Sequence, residues 1–511
     1  MLLRFRFRIL TASLTVALLG VTVVHGAAAA AAPGRRPLNV LFLIVDDLTT
    51  TLSCYGDRAA RTPHMDALAA RGVRFDRAYT QFALCNPSRS SFLTGCYPER
   101  TQVYDLTTPF RRAVPEAVTL PQLFSGAGYR TGRIGKVFHV PDAETKNDIQ
   151  KASPLARDQA ILEEAKLAAA SEGDLSDPPR IRGKSRQYNR NYAASRRPDS
   201  AFTDHQIAED ALVALEAFKD HPFFLAVGFI RPHTPYVAPQ AYFDRIDPRD
   251  VELPKFYQPG GEDRADIPAA ALRPNNNVFS FAAPSVDQAR EARRAYLAST
   301  AFVDAQIGRV LARLEALGLA DRTIVLLTGD HGYQLGEHGL WAKQTLFEEG
   351  THVPLIVAAP GVRPGVSKAL VEQVDIFPTL AGLAGLPVPA TVQGSTLQPL
   401  LADPAVSGKL AVFSTMQAPR GAPAGGAAAE PLEDFAGVTA SGGANAVLGH
   451  SIRTSRHRYI EWDAGRAGRQ LYDLERDPRE LRNLVADPAH AALQADLRRQ
   501  LHDHLRRVAV Q

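Results

Sequence analysis

The sequence of 511 residues is well beyond the size of a typical single domain and can bury a large core. At 45% hydrophobic and 22% charged residues, its composition excludes a disordered or fibrous chain. The 58 basic and 54 acidic residues leave a net charge of +4; Arg4, Arg6 and Arg8 account for most of it, so the rest lacks the concentrated basic surface of a duplex-binding protein.

Those three arginines precede an apolar stretch over 9–24 and an alanine run over 27–32, the pattern of an export signal spanning 1–32. The apolar stretch is shorter than the roughly 20 residues of a spanning helix, with an uncleaved anchor as the alternative. No later segment is long and apolar enough to span, so the mature protein is expected to be soluble, periplasmic or secreted. Cys54, Cys85 and Cys96 are too few and too clustered for a disulfide scaffold. Cys54 could pair with Cys96.

The apolar run 38–45 predicts a strand buried on both faces, and Asp46-Asp47 follow it directly. A helix is expected over 62–72, with Thr62 as cap, Pro63 in the first turn and Gly72 at the end. Residues 142–200 are polar, Ala-rich and short of strand signals, which predicts a surface insertion. Ile207, Ala211, Leu212, Leu215 and Phe218 share one helical face, and the strand-like run 223–229 leads into Arg231-Pro232-His233. Ile307, Val310, Leu311, Leu314 and Leu317 mark another helix, followed by the runs 323–327, leading to Asp330-His331, and 354–358. Strands alternating with helices predict an α/β fold with a mostly parallel sheet. Residues 417–430 read as a low-complexity loop, 451–454 and 458–462 as short strands, and 487–507 as a closing helix. A catalytic domain over 37–404 and a smaller C-terminal subdomain over 405–511 are therefore expected.

In open parallel sheets, ligands bind outside the carboxyl ends of the strands. Placed side by side, three of these runs would gather Asp46, Asp47, Asp330, His331 and His233 at one edge. Clustered carboxylates call for a compensating charge, and oxygen ligands favour a hard cation such as Ca²⁺ or Mg²⁺, with His331 leaving zinc or manganese open. In the segment 84–95, Pro87 can start a helix that puts Cys85 at an anion-favouring N-terminus, with Arg89 one turn on. A bare cysteine there could be an activated thiolate. Soft sulfur, however, is a poor ligand for a hard cation, so the two readings conflict.

Cys85-x-Pro87-Ser88-Arg89 followed by Leu93-Thr94-Gly95 is the signature of the sulfatase family, which the chain resembles from Asn39 to Leu471-Tyr472-Asp473. It is most similar to the iduronate-2-sulfatase branch. The stretches that carry this include Gly135-Lys136-Val137-Phe138-His139, Arg231-Pro232-His233, Leu335-Gly336-Glu337-His338-Gly339 and Trp341-Ala342-Lys343. The resemblance implies an alkaline-phosphatase-like α/β fold, with a mostly parallel central sheet flanked by helices and a smaller α+β subdomain. It implies that a separate maturase, a formylglycine-generating enzyme or its equivalent, oxidises Cys85 to formylglycine, whose hydrate presents oxygen and resolves the conflict. Asp46, Asp47, Asp330, His331 and the modified residue 85 would then hold one Ca²⁺. Arg89, Lys136 and Lys343 would hold the sulfate, His233 assisted by Lys343 would supply the proton to the departing sugar oxygen, and His139 would act as base when sulfate is expelled. The implied substrate is a sulfated saccharide, a 2-O-sulfated uronic acid. Two other readings stand beside this one: a phosphomonoester or phosphonate hydrolase of the same superfamily, and an unmodified, non-enzymatic protein that binds sulfated glycans. Glu337 and His338 read as loop-shaping, and His352 and Asp375 as structural.

Overall fold

The apolar runs become the middle of a large central sheet, in a computed structural model that describes residues 37–151, 158, 160–162, 164, 191–255, 257, 264–272, 278–279, 284–419 and 446–510. In chain order the first ten strands are β1 (Asn39–Val45), β2 (Val73–Tyr79), β3 (Arg130–Gly135), β4 (Ile149–Lys151), β5 (Tyr192–Ser195), β6 (Phe223–Phe229), β7 (Tyr236–Pro239), β8 (Thr323–Gly329), β9 (His352–Ala358) and β10 (Gly365–Glu372). Eight of them form one sheet in the order β10-β2-β9-β8-β1-β6-β3-β4. β1 is central, parallel to β6 on one side and β8 on the other. Its alternating side chains serve two cores, because successive residues of a strand point to opposite faces. Leu41, Leu43 and Val45 pack with Ile207, Leu215, Ile307 and Leu314, on the helices Thr203–Phe218 and Val286–Ala316. Val40, Phe42 and Ile44 pack with Phe92, Leu93, Phe377 and Leu380 on the other side.

Three sequence expectations need correction. The run 354–358 lies in β9, which is antiparallel to both of its neighbours. A strand enclosed on both faces and both edges has the same apolar composition in either direction. The Thr62 side chain bonds no main-chain N–H of the first turn of its helix, α1 (Pro63–Arg71); its hydroxyl donates to Asp66 Oδ1 at 3.1 Å. Asp304 caps that helix instead, accepting from His64 N at 3.2 Å and Met65 N at 2.8 Å. The stretch 142–200 is not all surface: β4 extends the sheet beside β3, and Asp158, Ile161 and Leu162 are buried.

Strands β11 (Ala411–Pro419), β12 (Ala446–Thr454), β13 (His457–Trp462) and β14 (Arg469–Asp473) form a separate antiparallel sheet in that order. The helix Ala491–Val510 covers it, with Leu497 and Leu501 against Ile452, Tyr459 and Leu471. Residues 417–419, read as the start of a loop, end β11. The rest of that loop and the export signal at 1–32 lie outside the described residues. No helix among the described residues is long and apolar enough to cross a membrane.

Candidate active site

Four neighbouring parallel strands, β8, β1, β6 and β3, end together, and their ladder runs on by one bond each into the loops that carry the chemistry. Asp330 N donates to Val45 O at 3.2 Å, Asp46 N to Phe229 O at 3.1 Å and Lys136 N to Gly228 O at 2.8 Å. Glycine is required at the last crossing: a Cβ on Gly228 would stand 2.0 Å from Lys136 O, and Gly135 has a φ of 69°. These close approaches bring Lys136 against the end of β1.

Helix α2 (Cys85–Thr94) enters the same edge with Cys85 as its first residue. One turn on, Arg89 is buried and spans two strand ends. Its Nε donates to Asp330 Oδ2 at 2.9 Å and its Nη2 to Asp46 Oδ1 at 3.1 Å. Lys136 Nζ donates to the other oxygen of Asp46, and Lys343 Nζ to Asp47 Oδ1 at 2.7 Å. The Cys85 Sγ lies at the centre, 3.1 Å from Lys343 Nζ and 3.3 Å from His331 Nε2. His331 Nδ1 is 2.8 Å from Gly332 O; a carbonyl can only accept, so Nδ1 carries a proton, and Nε2 faces the site, 3.3 Å from Asp47 Oδ1.

The electrostatics follow from burial and neighbours. Burial opposes ionisation of Asp46, yet Lys136, Arg89 and Lys343 together hold its carboxyl well below the usual range. His139 is driven down to about 3, by burial first and then by Lys136, and its Nδ1 is buried without a partner. That imidazole is neutral and its Nδ1 can accept a proton, as a weak base. His233 donates from Nδ1 to Thr234 O at 2.7 Å, and burial holds it down at about 4, so before an anion binds it is neutral. Burial, then Asp46, push the Cys85 thiol up to about 12. This corrects the activated-thiolate reading, because burial and the carboxylates of Asp46 and Asp330 oppose a further negative charge on that sulfur.

The donor set fits a hard divalent cation. Ligand atoms of Asp46, Cys85, Asp330 and His331, and of Asp46, Asp47, Cys85 and His233, form two overlapping groups, each with its atoms within 4.8 Å of one another. Asp47 Oδ2 is buried with no hydrogen-bond partner, an expensive state for a carboxylate oxygen that a cation would relieve. The carboxylates of Asp46, Asp47 and Asp330 are matched by Arg89, Lys136 and Lys343, so an added cation would leave the site positive and attractive to an anionic ester. All three cysteines are free thiols.

Of the other sequence candidates, Glu337 accepts from Leu335 N at 2.6 Å, His338 stacks on Phe347, and His352 Nε2 lies 2.8 Å from Asp76 O. Asp375 binds Lys409 at 2.7 Å. Sequence reasoning missed Tyr296, whose hydroxyl donates to Asp47 O at 2.8 Å, and Gln373, whose amide joins Ser88 to the end of β8. A tyrosine on a helix face reads as core, and no local pattern distinguishes either residue.

The profile of the family described as Sulfatase matches residues 38–386, and that of the N-sulphoglucosamine sulphohydrolase C-terminal region matches 443–507. The chain is 34% identical to iduronate 2-sulfatase of Homo sapiens over 493 residues, covering 83% of this chain and 85% of that protein. Among solved structures, a phosphonate monoester hydrolase from Silicibacter pomeroyi superposes with a TM-score of 0.72 at 28% identity, over 92% of this chain and 95% of that one. A 2-O GAG sulfatase superposes with a TM-score of 0.66 at 24% identity, over 93% of each chain, and supports the fold.

Proposed function

This chain belongs to the sulfatase family and is a sulfuric ester hydrolase, and from that premise we propose that it removes sulfate from a 2-O-sulfated uronic acid with a formylglycine made from Cys85. The observation that carries the nucleophile is the position of Cys85, at the head of α2 among Lys343, His331 and the carboxylates of Asp46 and Asp330. As a thiol it is neutral and soft; as a hydrated aldehyde it would offer oxygen both to sulfur and to a hard cation. Asp46, Asp47, Asp330 and His331 would hold that cation, which we take to be Ca²⁺. When bound, it would acidify an oxygen nucleophile and offset the carboxylates.

The chain's own residues supply the rest. Arg89, Lys136 and Lys343 face the charge on the sulfate oxygens in a site shielded from water, where fixed cations act strongly. When the sulfur–oxygen bond to the sugar breaks, the departing oxygen needs a proton. His233, made cationic by the bound anion, supplies it with Lys343 beside it. His139, held neutral, takes the proton released when sulfate leaves. We read 1–32 as an export signal, 37–404 as the catalytic domain on its alkaline-phosphatase-like sheet, and 405–511 as a C-terminal subdomain. The protein would be periplasmic or secreted, with a formylglycine-generating maturase as its processing partner.

Mass analysis of the peptide containing residue 85, from protein made in its native host, should show an aldehyde in place of the thiol. Cys85→Ala should abolish turnover with the fold intact, and retained activity would remove residue 85 as nucleophile. A panel of sulfated disaccharides tests the sugar: preferred release from a 2-O-sulfated uronic acid is expected, and preference for another sulfated position would displace it. The similarity to the phosphonate monoester hydrolase fold favours a second reading, in which phosphonate esters are the better substrates. The ratio of aryl sulfate to aryl phosphonate turnover separates the two.

A further inference from the structure

Directly behind His233 lies a buried charged cluster that none of the roles above uses. Arg231, Asp158 and Asp204 are all buried. The Arg231 guanidinium forks, Nη2 donating to the Asp158 carboxylate and Nη1 to the main-chain oxygen of His233. The second Asp158 oxygen accepts from Thr203 N at 3.1 Å and Thr203 Oγ1 at 2.9 Å, which anchors it to the start of the helix Thr203–Phe218. Asp204, next on that helix, accepts from Ile230 N at 2.6 Å and Arg231 N at 2.9 Å. His233 N closes the turn onto Ile230 O at 2.9 Å. Ile230 N and Arg231 N, through Asp204, and His233 O, through the Arg231–Asp158 pair, are thus tied to one helix terminus.

A buried ion pair is a costly way to gain stability, and a geometric role is its better-attested use. Arginine suits it, because the planar fork fixes two acceptors at once where a lysine would swivel. The His233 ring is itself locked through Nδ1 to Thr234 O, so its direction toward the site follows the main chain at 233. We propose that the Asp158–Arg231 pair is a positioning device for His233, setting where its imidazole meets the departing ester oxygen. Asp158 and Arg231 touch no reacting atom; they act through His233. This inference rests on the sulfatase reading, and it gives a function to a residue in the stretch that looked like a surface insertion.

The test compares phenyl sulfate, a poor leaving group, with 4-nitrophenyl sulfate, a good one, on protein whose residue 85 has been verified by mass. A misplaced proton donor costs rate only where the leaving oxygen needs a proton. Asp158→Asn should lower kcat/KM for phenyl sulfate by about tenfold to a hundredfold and for 4-nitrophenyl sulfate by less than about threefold. The double variant Asp158→Asn/His233→Ala should be no slower than His233→Ala alone. Should Asp158→Asn fail to fold, Thr203→Val, which removes one bond to Asp158, should show the same selectivity at about twofold to fivefold. Equal losses on the two esters, or losses that multiply in the double variant, would overturn the inference while the sulfatase reading stands. A correctly modified wild type that releases sulfate neither from these esters nor from the sulfated disaccharides would overturn the sulfatase reading, and this one with it.

Discussion

Asp47 sits with a φ of 58°, a left-handed conformation that is uncommon for a residue with a side chain, so the turn after β1 needs outside support. Tyr296 provides it: its buried hydroxyl donates to Asp47 O at 2.8 Å and accepts from Thr49 N at 2.9 Å. Tyr296→Phe would leave both groups unpaired. On the proposed assignment of Ca²⁺ to this site, the expected result is binding weakened by about fivefold to tenfold, on the basis of roughly 1 kcal/mol for such a bond. Calorimetric titration of the apoprotein reads this without reference to turnover, and unchanged affinity would mean that the turn holds itself. At this scale, Asp46, Asp47, Cys85, Arg89 and Asp330 were legible because each lies in a motif or directly after an apolar run. Tyr296 was not, since its partner is 249 residues away.

Helix α1 shows what an element owes to distant chain. Its first turn presents free N–H groups, and the carboxylate that takes two of them comes from Asp304 on Val286–Ala316. Asp304→Ala should lower stability by about 1–2 kcal/mol, as loss of a helix cap does. Thr62 Oγ1 donates to Asp66 Oδ1 at 3.1 Å and accepts from Ser53 N at 3.1 Å, so Thr62→Ala would cost stability of its own while leaving the first-turn N–H groups capped. Chemical unfolding of Asp304→Ala checks the cap, and unchanged stability would remove Asp304 from that role. The sequence predicted where α1 lies, because apolar spacing and Pro63 are local signals. It could not identify the cap, because a helix start accepts any carboxylate that reaches it. Strand direction escaped it for a similar reason: β9 is as apolar as β8, and only pairing distinguishes them.

Across the whole molecule, charged groups bridge the central sheet and the C-terminal one, and they titrate in opposite senses. Burial alone would raise the Glu348 carboxyl, but Arg458 and Arg453 hold it far below its ordinary value. Glu372, opposed by burial and held by Lys409, is also lowered, and it accepts from Phe413 N of β11 at 2.9 Å. Carboxyls depressed in the folded state give stability that is present above the unfolded value of about 4.3 and lost as pH falls below it. Glu349 is the reverse: burial, then Glu337 and Glu480, push it up to about 8. Its folded form holds a proton that the unfolded chain releases, so its contribution is full below about 4.3 and declines as pH rises toward 8. The 19% exposure of its side chain softens this effect without changing its sign. The melting temperature should therefore peak in mildly acidic solution and fall on both sides. Glu349→Gln, which cannot titrate, should flatten the decline between about pH 5 and 8 and leave the acid limb in place. An unchanged alkaline limb in that variant would move its origin away from the cluster of Glu337, Glu349 and Glu480. Glu348→Gln should instead lower stability at neutral pH, because it leaves the buried Arg458 guanidinium short of a partner.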